Sequence, residues 1–464
     1  MRWAGLLMRF WFLVVAVDAL AFALGGVPAP SPAMAAAARP NLVFILDDDQ
    51  RIGTMSVMPA TRARFEVRLT GFSTTPLCSP SRSEVLTGEY AHNTGVRTNS
   101  DYPSFQGREA DSIGPWLQAQ GYYTGFFGKY FNHYFPTDPT PPGWDEFRGI
   151  VWRDHDNHLW NWTDREHFFD GSTIHDELVD YPNAEFPNAF SPRVFATLGA
   201  RFIAHAADPA YNPTGKPWAL FIWPAAPNGR QPEPRYAHAP LPTWIRPPSF
   251  MEPDMSDKPI EIRRLAVRTN HPAAYFRGLR RDELHLQMSV DNMVKRVFSA
   301  VDLNGYASST YGFFASDNGR LWGEHHLKAK RVGYEESVRV PMRMHVPDHR
   351  RTTLHQLVGN IDIVPTMLDL AGDPSTHGAN GRSLLPLING TSTSWRHTLL
   401  LENWEHNHWA GVRTSRWKFV HWYPSGHHEL YDLRHDPFEL ENVAREHPRV
   451  IDRLRRRMRI LQQR

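Results

Sequence analysis

Short runs of β-branched and aromatic residues recur along the chain and end abruptly in polar ones: Leu42 to Leu46, Tyr122 to Phe127, Trp218 to Trp223 and Thr310 to Ala315. Runs of this length without polar alternation fit strands buried on both faces of a sheet. Between them lie stretches with helical spacing. Asp111 to Gln120 runs up to Gly121, and Asp282 to Ala300 carries Leu284, Met288, Val290, Val294, Val297 and Phe298 close to one stripe. Strands alternating with helices predict an α/β fold, with a large, mostly parallel sheet flanked by helices. Ligand sites in such sheets collect at the carboxyl ends of strands, so the polar residues after each run are where chemistry is expected.

Other stretches depart from that pattern. Arg2 and Arg9 precede the apolar run Phe10 to Leu24, broken by Asp18, and small residues surround Ala33-Met34-Ala35. Together they predict a cleavable signal peptide over residues 1–35, too short in its apolar part to span a bilayer and of the Sec type, since no arginine pair precedes it. Secretion, to a periplasmic or extracellular space, follows as an expectation. Asp138 to Pro259 is rich in Pro, Trp, His and Asn and reads as long decorated loops over the scaffold. After Asn389-Gly390-Thr391, the segments Gly411 to Val420 and Glu429 to Leu433 read as short antiparallel strands before a terminal helix. The arginines of that helix, Arg449 to Arg464, read as a solvated face. The expected division is a signal peptide (1–35), a catalytic domain (39–395) and a C-terminal subdomain (396–464) with an antiparallel sheet and a helix. N-x-T sequons begin at Asn161 and Asn389.

Composition narrows the function. The 464 residues hold 51 basic and 49 acidic side chains, a net charge of +2, which gives no field suited to nucleic acid. A single cysteine, Cys78, excludes an intramolecular disulfide and a cysteine-based zinc cluster.

Four clusters follow predicted strands or turns: Asp47-Asp48-Asp49-Gln50, Cys78-Ser79-Pro80-Ser81-Arg82, Gly128-Lys129-Tyr130 and Ser316-Asp317-Asn318-Gly319, the last with Lys330 and Tyr334-Glu335 downstream. Carboxylates with an amide suit a hard divalent cation. Lysines and an arginine suit a sulfate or phosphate group. Taken singly, each cluster is also an ordinary turn, cap or core feature.

Taken together they match a known pattern. The run Cys78 to Gly88, reading C-S-P-S-R-S-E-V-L-T-G, resembles the signature of the type I, formylglycine-dependent sulfatases, of the alkaline-phosphatase-like superfamily. The likeness extends from Asn41 to about Asn442, through Gly381-Arg382-Ser383, Leu385-Pro386, Glu429 to Leu433 and Asp436-Pro437. Gly128 to Asn132 and Phe313 to Gly319 look most like the N-acetylglucosamine-6-sulfatase branch. The resemblance implies an alkaline-phosphatase-like fold and hydrolysis of an aryl or carbohydrate sulfate ester. It implies conversion of Cys78 to formylglycine by a dedicated modifying enzyme. It also implies calcium held by Asp48, Asp49, Asp317, Asn318 and modified Cys78, with Asp47 turned away. Arg82, Lys129 and Lys330 would complete the catalytic set, and Asn132, Asn228, His325 and His326 would meet substrate.

One position departs from the family. Ala226-Pro227-Asn228 stands where the pattern resembles A-P-H, whose histidine protonates the leaving alcohol, and an amide cannot transfer a proton near pH 7. His133, His325 and His326 are the candidate replacements. Two rival readings stay open: a phosphonate or phosphodiester hydrolase, and a sulfatase-like binding protein impaired in turnover.

Overall fold

The computed structural model describes residues 39–464, apart from 154–157, 160–161, 170–171, 183–188, 270, 393 and the side chain of 329. The expected signal peptide and the sequon at Asn161 lie outside the described residues. Pro40–Arg464 form one compact unit. In chain order its main strands are β1 (Asn41–Asp47), β2 (Val67–Phe72), β3 (Tyr123–Lys129), β4 (Glu146–Val151), β5 (Trp162–Phe169), β6 (Ile174–Tyr181), β7 (Trp218–Trp223) and β8 (Thr310–Ser316). There follow the two-residue strands β9 (Leu321–Trp322) and β10 (Lys328–Ala329), then β11 (Arg339–His345), β12 (Thr352–Gly359), β13 (Leu399–Asn403), β14 (Trp409–Arg413), β15 (Trp417–Trp422) and β16 (His428–Asp432).

Ten of these strands form one mixed sheet in the order β12-β2-β11-β8-β1-β7-β3-β4-β5-β6. Its centre, β8-β1-β7-β3-β4, is parallel throughout, while β11 and the β4-β5-β6 edge run antiparallel to their neighbours. The unbroken apolar run in β1 has a simple cause. Leu42, Phe44 and Leu46 enter one core layer, and Val43 and Ile45 enter the other. Helices Ile113–Ala119 and Ile363–Ala371 cover the first layer, and Ser191–Ala207 and Ala273–Leu303 cover the second. A four-stranded antiparallel sheet, β13-β14-β15-β16, carries the C-terminal helix Pro448–Gln462, whose Leu454 and Met458 pack with Phe419 and Leu430. Among the described residues no helix is long and apolar enough to cross a membrane.

The structure departs from the sequence reading in two places. The stretch read as loops from Asp138 to Pro259 also holds β4, β5, β6 and a helix. Strand β6 is an edge with Asp176, Glu177 and Asp180 among its mostly exposed residues, so it lacks the apolar run that marks an internal strand. Gly411 to Val420, read as one strand, is a hairpin instead. Thr414 turns the chain, its hydroxyl accepting the Trp417 amide at 2.8 Å.

Candidate active site

The β1-β8 register explains how clusters far apart in sequence meet. Asp47 pairs with Ser316, so the residues just beyond both strand ends lie side by side, and the Asp317 amide donates to the Asp47 carbonyl at 3.0 Å. Asp48 also bonds to the segment just past β7, its amide donating to the Ala226 carbonyl at 3.0 Å. Asp49 takes a left-handed backbone (φ 70°), which an aspartate tolerates better than most side chains. Its amide donates to Asp317 Oδ1 at 3.0 Å, and its Oδ1 accepts from Asn318 Nδ2 at 2.6 Å, across 269 residues of sequence.

Cys78 is the first residue of helix Cys78–Thr87, and all ten side chains of that helix are buried. A polar helix is stable in the interior only if its groups are matched, and here they are. Asn99 Oδ1 accepts the Ser79 amide at 3.0 Å. Glu84 accepts from Thr75 and Asn360, both at 2.7 Å, and Ser83 Oγ lies 2.9 Å from Thr94 Oγ1. Arg82 grips Asp317 Oδ2 through Nε (3.1 Å) and Nη2 (2.9 Å) and donates to the Lys129 carbonyl at 2.5 Å.

Lys129 reaches this centre because Gly128 takes φ 125° where β3 passes β7; a β-carbon there would lie 2.1 Å from the Trp223 carbonyl oxygen. Lys129 Nζ donates to Asp48 Oδ2 at 2.7 Å. Cys78 Sγ lies 3.3 Å from Asp48 Oδ1 and accepts from Lys330 Nζ at 2.9 Å. The Lys330 ammonium also donates to Asn318 Oδ1 at 3.1 Å and pairs closely with Asp49.

The electrostatics follow from burial and these pairs. Burial works to raise the Asp48 carboxyl, but Lys129 and Arg82 outweigh it and hold it below the usual carboxylate range. Burial, then the Asp317 and Asp48 charges, push Asp47 well above that range, and among the described residues its oxygens have no hydrogen-bond partner. Burial and the Asp48 charge push the Cys78 thiol up to about 12. A thiol held there stays protonated and is a poor nucleophile at neutral pH.

The donor set fits a hard cation. One oxygen each of Asp48 and Asp317 and the Cys78 sulfur lie within 4.8 Å of one another. Asp49 and Asn318 join them through Lys330, itself a cation drawn to the same oxygens. Asp47 is not part of that group.

The remaining candidates divide. Asn132 lies beside the nucleophile helix, its amide donating to Ser79 Oγ at 3.1 Å. Asn228 is half-buried, its Nδ2 3.4 Å from Asp48 Oδ2. His325 and His326 are not brought to the site. His325 is buried against Glu252 (2.5 Å) and stacked on Tyr334, while His326 Nε2 meets the Glu252 carbonyl at 2.8 Å. Burial lowers His325 to about 3, so it stays neutral. Sequence reasoning missed Arg320, whose Nη1 donates to Asn228 Oδ1 at 2.9 Å and to Asp49 Oδ2 at 3.2 Å. Its place directly after Asp317-Asn318-Gly319 was the available signal.

Comparison with known proteins agrees with this arrangement. The family model described as Sulfatase matches residues 40–373, and one described as N-sulphoglucosamine sulphohydrolase, C-terminal, matches 323–464. A putative extracellular sulfatase Sulf-1 homolog of Caenorhabditis elegans is 34% identical over 78% of the chain, and an N-acetylglucosamine-6-sulfatase of Capra hircus is 29% identical over 82%. The chain spans 51% of the worm protein, 33% of a Drosophila melanogaster extracellular sulfatase homolog and 69% of the goat enzyme. Two solved structures share the fold. One, in complex with its substrate D-glucosamine-2-N,6-O-disulfate, superposes with a TM-score of 0.72 at 20% identity, over 92% of this chain and 98% of the other. The second, a phosphonate monoester hydrolase of Agrobacterium radiobacter, gives 0.70 at 19% identity, over 91% and 95%.

Proposed function

The chain belongs to the sulfatase family, and from that premise we propose that it hydrolyses an organic sulfate ester, aryl or carbohydrate, at the carboxyl ends of β1, β3 and β8. The observation that carries this is the environment of Cys78. It heads a buried helix between the Asp48 carboxylate and the Lys330 ammonium, with Lys129 and Arg82 close by. A formylglycine formed from Cys78 would supply a hydrated aldehyde oxygen as nucleophile, and calcium held by Asp48, Asp49, Asp317 and Asn318 would draw charge from a sulfate oxygen.

The chain's own residues do the rest. Lys129 at the end of β3 and Lys330 just past β10 approach the Cys78 region and offset the charge of a sulfate group held between them. Arg82, locked on Asp317 and the Lys129 carbonyl, fixes both the acid and the lysine relative to the helix start. Asn132 and Asn228 border the opening with amides that hydrogen-bond without titrating. The relatives' names support a sulfated sugar as substrate, and with the predicted signal peptide they support action outside the cytoplasm.

Two measurements test the proposal. The mass of the peptide containing Cys78 should fall by that expected for thiol to aldehyde, and purified protein should turn over aryl or sugar sulfates faster than aryl phosphate or phosphonate esters. Full activity with an unmodified thiol would refute the formylglycine. Faster turnover of the phosphorus esters would favour the phosphonate reading, which the shared fold also supports, and turnover of no ester would leave a binding protein.

A further inference from the structure

With Asn228 in place of a proton donor and with His325 and His326 turned elsewhere, the leaving alcohol needs another acid. His158 stands at the same end of the sheet. Strand β4 is parallel to β3 with Ile150 beside Lys129, so the chain leaving β4 emerges at the same end of the sheet as the lysine. Trp152, just past that strand, meets the His158 ring edge to face at 5.2 Å. On the other side, Leu159 lies over the backbone next to Asn228: a β-carbon on Gly229 would be 2.4 Å from Leu159 Cδ1. Ser191 holds the segment down, its hydroxyl donating to the His158 carbonyl at 2.7 Å and its amide to the Leu159 carbonyl at 2.9 Å. His158 is therefore pinned between the ends of β4 and β7. Its Nε2 is screened from solvent and has no hydrogen-bond partner among the described residues.

We propose that His158 supplies the proton to the leaving alcohol, a role that rests on the sulfatase reading above. The S–O bond to the alcohol breaks with its electron pair staying on the alcohol oxygen, and that oxygen takes the proton from His158 Nε2. The oxygen that forms the new bond to sulfur derives from water; of the two protons that water gives up, one restores the ring and the other passes to solvent. Burial, then the Lys129 ammonium, lower this imidazole to about 4, while Asp48 opposes them. A bound sulfate ester places its negative charge against Lys129 and so favours protonation of the ring when a proton is needed. His133, the other histidine against Trp152, stacks on Phe135 and meets the Trp152 ring edge to face at 5.3 Å.

The test is a series of sulfate esters whose alcohols span a wide range of acidity. In the wild type, rates should depend weakly on the leaving group, because a proton is supplied. His158→Gln should lose ~10²–10⁴-fold on alkyl and sugar sulfates and much less on nitrophenyl sulfate. Adding Asn228→His to that variant should recover part of the loss. Melting temperature and the mass of the Cys78 peptide should stay unchanged, and His158→Asn serves if the glutamine variant misfolds. Equal loss on all esters, or none, would overturn the assignment, as would a steep leaving-group dependence in the wild type. If the wild type cleaves no sulfate ester at all, the sulfatase reading has failed, an outcome distinct from any of these.

Discussion

Two of the buried charge clusters among the described residues invite comparison. One, at the strand ends, joins Asp48, Asp49 and Asp317 to Arg82, Lys129, Lys330 and Arg320. The other lies where the two sheets meet. There Lys418 pairs with Glu335 (3.0 Å) and Glu439 (2.5 Å) and donates to the Gly333 carbonyl (2.7 Å), while Arg413 Nε lies 3.0 Å from Glu335. Both are buried, and both hold a carboxyl below its usual range: Asp48 through Lys129 and Arg82, Glu335 through Lys418 and Arg413, in each case against the effect of burial. Displaced carboxyls therefore do not by themselves mark a site. What separates the clusters is position. The first stands at the carboxyl ends of parallel strands with a sulfur at its centre, and the second is closed between β15, β14 and the segment before β11.

The sharpest way to break that comparison is to exchange the effects of mutation. Cys78→Ala should abolish turnover, with a loss on the order of 10⁶-fold as for other nucleophile deletions, and leave thermal unfolding nearly unchanged. Lys418→Met should do the reverse. Glu439 left without its cation in the interior, and Glu335 left to Arg413, should cost about 3–5 kcal/mol of stability, while each folded molecule keeps its activity. Unfolding curves and rates per folded molecule check both arms.

A smaller effect comes from divalent cation. Calcium at about a hundred times its dissociation constant should stabilise the fold by ~2.7 kcal/mol, read as a rise in melting temperature that a chelator reverses. Asp317→Asn should remove this response and Glu335→Gln should keep it. A response equally lost in both variants would merge the two clusters again.

The smallest effect concerns acid. Because the folded protein holds Glu335 low, the stability it contributes is present above the ordinary carboxylate range and fades as pH falls through that range and below it. Glu335→Gln should flatten this part of the acid limb. Melting temperatures of the two proteins, compared between neutral pH and pH ~3, measure it.

Legibility in the sequence followed the same divide. The strand-end cluster was readable because its residues stand at predicted strand ends and within a signature that resembles a known family: Asp48, Asp49, Cys78, Arg82, Lys129, Asp317, Asn318 and Lys330 all meet. The seam was not, because Lys418 and Glu439 have no local pattern and meet only through strand pairing. The proposed acid His158 was not legible for the same reason; Leu159 against Gly229 is a contact between segments some seventy residues apart, as 229 − 159 indicates. His325 and His326 misled because histidine next to a site motif invites a catalytic reading, whereas their partner Glu252 arrives from a remote loop. Among the strands, apolar runs revealed β1, β3, β7 and β8 of the parallel centre, whereas β4 and the charged edge β6 hid among loops.

The complete burial of helix Cys78–Thr87 has a consequence for how a population of these molecules comes to be. If Cys78 is converted as proposed, the modifying enzyme can reach its sulfur only while the chain is still open, since the folded protein encloses the whole signature. Modification and folding then compete in time, and a chain that folds first is sealed in its unmodified form. Two such chains would share one melting curve and differ wholly in turnover. The specific activity of a preparation would record the outcome of that race, and slowing folding during synthesis would raise it.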